Sequence, residues 1–256
     1  PGPLASDDPA HRGGIVARFA KDLRELILHL GLHRPVVVGC SMGCAIIWSY
    51  VDHFGTDDLG GLIFVDQAPS QWMMPDWDQS CCSKGIFDEV SLANIEDALH
   101  AGLDAFADGN AECCLSRPVA SKTVETLKSE TQRCKPEQLA KIMADHARAD
   151  WRDVLTKIRC PILNFCGKLS GCFPVRGMLE INRLVPEQSC VLERRAVVWH
   201  ECNHWLYMEE PAHFNEEVVS FATTLAKDPK GGAYAEALGG RKEALGHIFG
   251  LVGVEK

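Results

Sequence analysis

Over residues 15–30 the apolar side chains fall at Ile15, Val16, Phe19, Leu23, Leu26, Ile27 and Leu30. That i, i+3, i+4 recurrence marks one face of an amphipathic helix, and Gly31 supplies its stop. The period then changes. Pro35 is followed by Val36, Val37 and Val38, a β-branched run that predicts a strand buried on both faces, and the apolar stretch over 45–51 continues at helical length. Residues 60–66 read as a second buried strand with a carboxylate, Asp66, at its carboxyl end, halted by Gln67-Ala68-Pro69. Strand patterns return at 160–167 and at 195–199, and Pro211 then opens a helix whose apolar positions Phe214, Val218, Val219, Phe221 and Ala222 turn back to the sheet. Between Ser70 and about Lys157 there is no strand-like run, only helical patterns, including one after Ser91 and one opening at Pro136. The expected fold is therefore α/β, a mostly parallel sheet flanked by helices, with its core in 1–69 and 158–226. A helical cap insertion would occupy 70–157. The tail, 227–256, has no periodic strand and could form a short helix around 241–248; no function is assigned to it.

Composition narrows the class of protein. A chain of 256 residues, 46% apolar and 24% charged, can bury one sizeable core. A net charge of -9 without a Lys/Arg cluster argues against nucleic acid or an anionic membrane as a partner. No run approaches the roughly 18 apolar residues of a membrane span, and the N-terminus lacks the regions of a signal peptide, so a cytoplasmic location is expected. The twelve cysteines include two adjacent pairs, Cys81-Cys82 and Cys113-Cys114, but no C-x-x-C followed by a second ligand pair. Cys40, Cys160 and Cys166 fall in or beside apolar strands, where cysteine packs as a small hydrophobe. No metal and no cofactor is expected, and most thiols should be reduced. The oligomeric state is not legible.

The chemistry concentrates at Gly39-Cys40-Ser41-Met42-Gly43, a G-x-S-x-G at a strand-to-helix boundary. A sharp turn there would lift the Ser41 hydroxyl clear of the sheet and leave little room for side chains at Gly39 and Gly43. It would also aim the first amides of the following helix, beginning with that of Met42, at a substrate oxyanion. Asp66 stands at the carboxyl end of its strand, where catalytic groups of parallel sheets gather, although such a residue can also simply cap a turn. His204 follows the last strand, and His200 lies four residues before it. Trp72, Met73 and Trp77, together with Cys40, suit the wall of an apolar pocket; ordinary core packing explains the tryptophans and methionine equally well.

The order Ser41, Asp66, His204 resembles the α/β-hydrolase fold. The resemblance spans about 19–221 and also rests on Ala20-Lys21-Asp22-Leu23, Val65-Asp66-Gln67-Ala68-Pro69, Asp150-Trp151-Arg152-Asp153-Val154-Leu155 before Cys160-Pro161, and Asn203-His204 with Glu209-Glu210-Pro211. It implies a serine hydrolase acting on an ester or similar acyl bond of a small apolar substrate. Ser41 would be the nucleophile, His204 the general base and the Met42 amide an oxyanion donor. Most members carry the acid where this chain reads Gly167-Lys168-Leu169-Ser170, so Asp66 is the available substitute, as in the haloalkane dehalogenases. Members also carry strands and an oxyanion loop before the elbow, and relative to them the chain reads as N-terminally truncated, which would leave the valine strand at an edge. A catalytically silent binding protein, a cofactor-free haloperoxidase and a carbon–carbon bond hydrolase share these residues.

Overall fold

A computed structural model describes residues 14–186 and 195–227; the helix expected around 241–248 lies outside them. Four parallel strands, β1 (Val36–Cys40), β2 (Gly61–Val65), β3 (Ile162–Gly167) and β4 (Arg195–Trp199), lie side by side in chain order. The register sets Cys40 opposite Val65, Val65 opposite Phe165, and Gly167 opposite Trp199, so the carboxyl ends of all four strands finish at one rim of the sheet. Parallel neighbours require crossovers. Helix α2 (Met42–Phe54) joins β1 to β2 and α8 (Val175–Leu184) joins β3 to β4. The long β2-to-β3 connection holds α3 (Glu89–Ala101), α4 (Leu103–Cys114), α5 (Ser121–Gln132), α6 (Pro136–Arg148) and the short α7 (Arg152–Leu155). Helix α1 (Gly14–His29) precedes the sheet, and α9 (Leu206–Glu209) and α10 (Pro211–Lys227) follow it. Among the described residues no helix is long and apolar enough to cross a membrane.

Alternation along the strands sorts the core into two layers. Leu62, Phe64 and Ile162 point to one face, where they pack with Val16 and Ala20 of α1, Cys44 and Trp48 of α2, and Ile181 of α8. Ile63, Val65, Leu163, Phe165, Val197 and Trp199 point to the other, against Leu206 of α9 and Phe221 and Leu225 of α10. Each such side chain, removed from water, contributes about 1.5–3 kcal/mol before the entropy of ordering is subtracted. All five residues of β2 and all six of β3 are buried, as continuous apolar runs in a two-layered parallel sheet require.

Strand β1 departs from the expectation of burial on both faces. Val36 and Val37 are only half-buried and Val38 is 44% exposed. The physical reason is position: among the described strands β1 pairs with β2 alone, so its other edge stays open.

The start of α3 is also shifted from the sequence reading. The helix opens at Glu89, not after Ser91, because Asp88 is the cap: its carboxylate accepts the Ser91 N–H at 2.8 Å while the Ser91 hydroxyl accepts the Asp88 N–H at 3.0 Å. Pro136 is the first residue of α6, as its fixed φ favours. Between β2 and β3 the only β pairings in the described residues are single bridges, Ser70 with Asp150 and Met74 with Trp77.

Candidate active site

The turn after β1 is strained where the G-x-S-x-G spacing places it. Ser41 has φ 53° and ψ -123°, a left-handed conformation costly for a side-chain-bearing residue, and it stands at the N-cap of α2. Its N–H donates to the Val65 carbonyl at 2.9 Å and its carbonyl accepts the Cys44 N–H at 2.8 Å, so the backbone is held on both sides. The buried Cys44 thiol closes the underside by donating to the Gly39 carbonyl at 3.0 Å. The two glycines are not equivalent. A β-carbon on Gly39 would lie 2.5 Å from the Gly43 carbonyl oxygen and 2.7 Å from Ile47 Cδ1, whereas one on Gly43 would meet nothing within 4 Å. The expectation of crowding on both sides of Ser41 therefore holds for Gly39 alone.

Asp66 leaves β2 beside Ser41 at the same rim of the sheet, also at positive φ, 49°. Its side chain is wholly buried and three donors converge on it. The Gly167 N–H reaches Oδ2 at 2.7 Å, the Ser170 hydroxyl reaches Oδ1 at 2.6 Å, and His204 Nδ1 lies 2.6 Å from the same Oδ1. With Nδ1 carrying the proton toward the carboxylate, Nε2 is the free acceptor. Ser170 sits at the position where the resemblance expects the acid. It does not replace the carboxylate; it donates to it, and its oxygen in turn accepts the N–H groups of Cys172 and Phe173 at 3.2 and 3.1 Å. Nothing along the chain signals this contact, which spans 104 positions.

The loop carrying His204 is built on two further residues. Asn203 Oδ1 accepts the His204 N–H and the Gly171 N–H, both at 2.7 Å. Buried Glu209 accepts the Asn203 N–H at 2.7 Å and, from the chain after α4, the Ser116 hydroxyl at 2.7 Å and the Arg117 N–H at 3.2 Å. His204 is buried, 3% exposed, with the Phe173 ring centroid 5.9 Å from that of its imidazole. His200 is exposed.

Of the expected wall residues, Cys40 is nearest the chemistry. Burial, reinforced by the Asp66 charge and only partly offset by the Tyr207 side chain, pushes its thiol up to about 12, so it is neutral and apolar at pH 7. Trp77 is buried with Ala68 and Phe173, its indole N–H donating to the Ser70 carbonyl at 3.1 Å. Trp72 is buried elsewhere, with Ile86, Leu92 and Ala147, and Met73 is 44% exposed. Beside the His204 loop lies a group that the spacing of cysteines did not disclose. Cys172, between β3 and α8, brings its thiol within 3.9 Å of Cys113 Sγ and 3.8 Å of Cys114 Sγ.

The four-stranded parallel sheet with crossover helices, the strained serine turn at one rim and an aspartate–histidine pair at the same rim define an α/β hydrolase architecture, and the comparisons agree. A profile of the alpha/beta hydrolase fold matches residues 1–80. A curated relative, the pimeloyl-[acyl-carrier protein] methyl ester esterase of Vibrio vulnificus, is 23% identical over 212 residues, covering 79% of this chain and 77% of its own. Among solved structures, an esterase from Exiguobacterium antarcticum superposes with a TM-score of 0.73 at 19% identity over 86% of this chain and 77% of its own. A bromoperoxidase from Bacillus anthracis gives 0.67 at 18% identity over 82% and 73%. The chain has the α/β-hydrolase fold.

Proposed function

We propose that the protein is a serine hydrolase that cleaves an ester bond of a small apolar substrate through Ser41, His204 and Asp66. The observation that carries this reading is the 2.6 Å approach of Asp66 Oδ1 to His204 Nδ1 at the rim where Ser41 is held in a strained turn. The esterase names of the relative and of the structural neighbour support the bond class.

The chemistry follows from these groups. His204 Nε2 takes the Ser41 proton as Oγ attacks the acyl carbon, and Asp66 keeps the imidazole in the tautomer with Nδ1–H and stabilises the imidazolium that forms. Negative charge collects on the carbonyl oxygen. The N–H of Met42, first residue of α2, is a donor at the positive end of that helix for this oxyanion. Collapse of the tetrahedral intermediate expels the alkoxide, which receives the proton from His204; water then repeats the sequence on the acyl-enzyme. Cys40, as a neutral thiol, and Trp77, in one apolar cluster with Phe173, would line the acyl side of the pocket.

The test is Ser41→Ala against short p-nitrophenyl esters, with fluorophosphonate labelling of the unaltered chain. The expected outcome is a loss on the order of 10⁴ or more in kcat with the fold retained, and a label on Ser41. Full activity in a folded Ser41→Ala protein, or failure of the probe to label Ser41, would reject the reading.

A further inference from the structure

We propose that Cys113, Cys114 and Cys172 form a thiolate site for one soft d¹⁰ cation of the zinc(II) class. The three ligand atoms all lie within 4.8 Å of one another. Tetrahedral coordination with zinc–sulfur bonds of about 2.3 Å places neighbouring sulfurs about 3.8 Å apart. The observed separations from Cys172 Sγ, 3.9 and 3.8 Å, have that edge length. They are far beyond the roughly 2.05 Å of a disulfide.

The trio is held by backbone on three segments. Cys113 and Cys114 are the last two residues of α4, and the Cys114 carbonyl accepts the Trp205 N–H at 3.1 Å. Cys172 is fixed at both ends, its N–H donating to Ser170 Oγ at 3.2 Å and its carbonyl accepting the Lys84 N–H at 2.9 Å. At Gly171 a β-carbon would collide with the Cys113 carbonyl oxygen, so the two segments touch where the thiols meet. Burial is graded as an entry path requires: Cys113 is exposed, Cys172 intermediate and Cys114 buried. The carboxamide oxygen of Asn110, one turn back on α4, accepts from Cys114 Sγ at 3.5 Å.

Three sulfur ligands select a soft or borderline cation over magnesium or calcium. Binding exchanges thiol protons for metal–sulfur bonds and releases the protons to solvent; no electron is transferred. The site is not visible along the chain because the third ligand is 58 positions from the adjacent pair. A bound cation would tie α4 to the loops that carry Ser170 and His204. The site stands or falls independently of the role of Ser41.

The experiment uses the full chain, freshly reduced, titrated with cadmium(II) as a spectroscopically visible surrogate and followed by thiolate-to-cadmium charge-transfer absorption. The expected result is saturation at one cadmium per chain, displacement by zinc and indifference to magnesium. Cys113→Ser, at an exposed position that the fold tolerates, and Cys172→Ser should each weaken binding more than about 100-fold. Cys134→Ser, an exposed cysteine beyond α5, should leave it unchanged. Absence of the absorption, or its persistence at full strength in Cys113→Ser, would overturn the proposal whatever Cys172→Ser does.

Discussion

At the scale of single residues, the candidate site is organised by Asp66 more than by Ser41. A buried carboxylate at positive φ costs stability twice, in desolvation and in backbone strain, and the Gly167 N–H, the Ser170 hydroxyl and the His204 imidazole offset that cost. Asp66→Asn should therefore keep the fold but lower kcat by up to about 10⁴, because an amide favours the wrong imidazole tautomer. Ser170→Ala removes one buried hydrogen bond to the carboxylate and should cost about tenfold in kcat, with KM little changed. Measuring both for ester hydrolysis separates the roles; a silent Ser170→Ala would show that His204 and Gly167 suffice to fix the carboxylate. As candidates, Ser41, Asp66 and His204 are legible in the sequence because each stands at a strand end or in a spaced motif. Ser170 and Cys172 were not, since their meaning lies in partners distant along the chain. The glycines divide in the same way. Gly39→Ala should destabilise by about 1–3 kcal/mol or more and disturb the elbow, while Gly43→Ala should fold normally, a contrast that thermal unfolding of the two variants reads directly.

At the scale of elements, period alone located most of the structure. The i, i+3, i+4 spacing gave α1, the apolar runs gave β2 and β3, and β4 spans the residues that its β-branched run marked. What period could not supply was each element's neighbours. By their run alone the valines of β1 read as interior, because three β-branched residues carry no information on how many strands flank them; the resemblance implied an edge, and among the described strands β1 is one. The N-terminus of α1 is a second case. Its first amides, Ile15 N–H and Val16 N–H, donate at 3.0 and 2.9 Å to Asp145 Oδ2 of α6, about 130 positions away, so the cap of α1 comes from the segment between β2 and β3. A carboxylate there satisfies two orphan donors and opposes the helix dipole. Asp145→Ala should cost about 1 kcal/mol, seen as a lower urea midpoint with an unchanged slope. A change in slope instead would mean that α1 had detached.

At the scale of the whole molecule, the question is whether the helices between β2 and β3 share the stability of the sheet. Three observations join them: Asp145 caps α1, Ala149 and Trp151 pack into the same apolar layer as α2 and β2, and the Trp151 N–H donates to the Pro69 carbonyl at 2.9 Å. His146, buried on α6 within this junction, provides a probe. Burial, with a smaller contribution from the His204 charge, pushes its imidazole down to about 4 from an ordinary 6.5. Above pH 6.5 the ring is neutral in folded and unfolded chains alike and contributes nothing to the pH dependence. Between 6.5 and 4 the unfolded chain holds a proton that the folded chain does not, so stability falls as pH falls, by about 2 kcal/mol at pH 5 and about 3 kcal/mol in all. The prediction is a difference of slopes: urea unfolding at pH 7.5 and pH 5 should show the unaltered chain losing about 2 kcal/mol more than His146→Phe, a comparison that cancels the carboxylates titrating in the same range. Because α6 is tied to both α1 and the sheet, that loss should appear in one transition, with tryptophan fluorescence and far-ultraviolet circular dichroism superimposing at both pH values. An early acid-sensitive phase seen by circular dichroism alone would mean that the helical segment melts apart from the sheet, and that the Asp145 and Trp151 contacts do not couple the two.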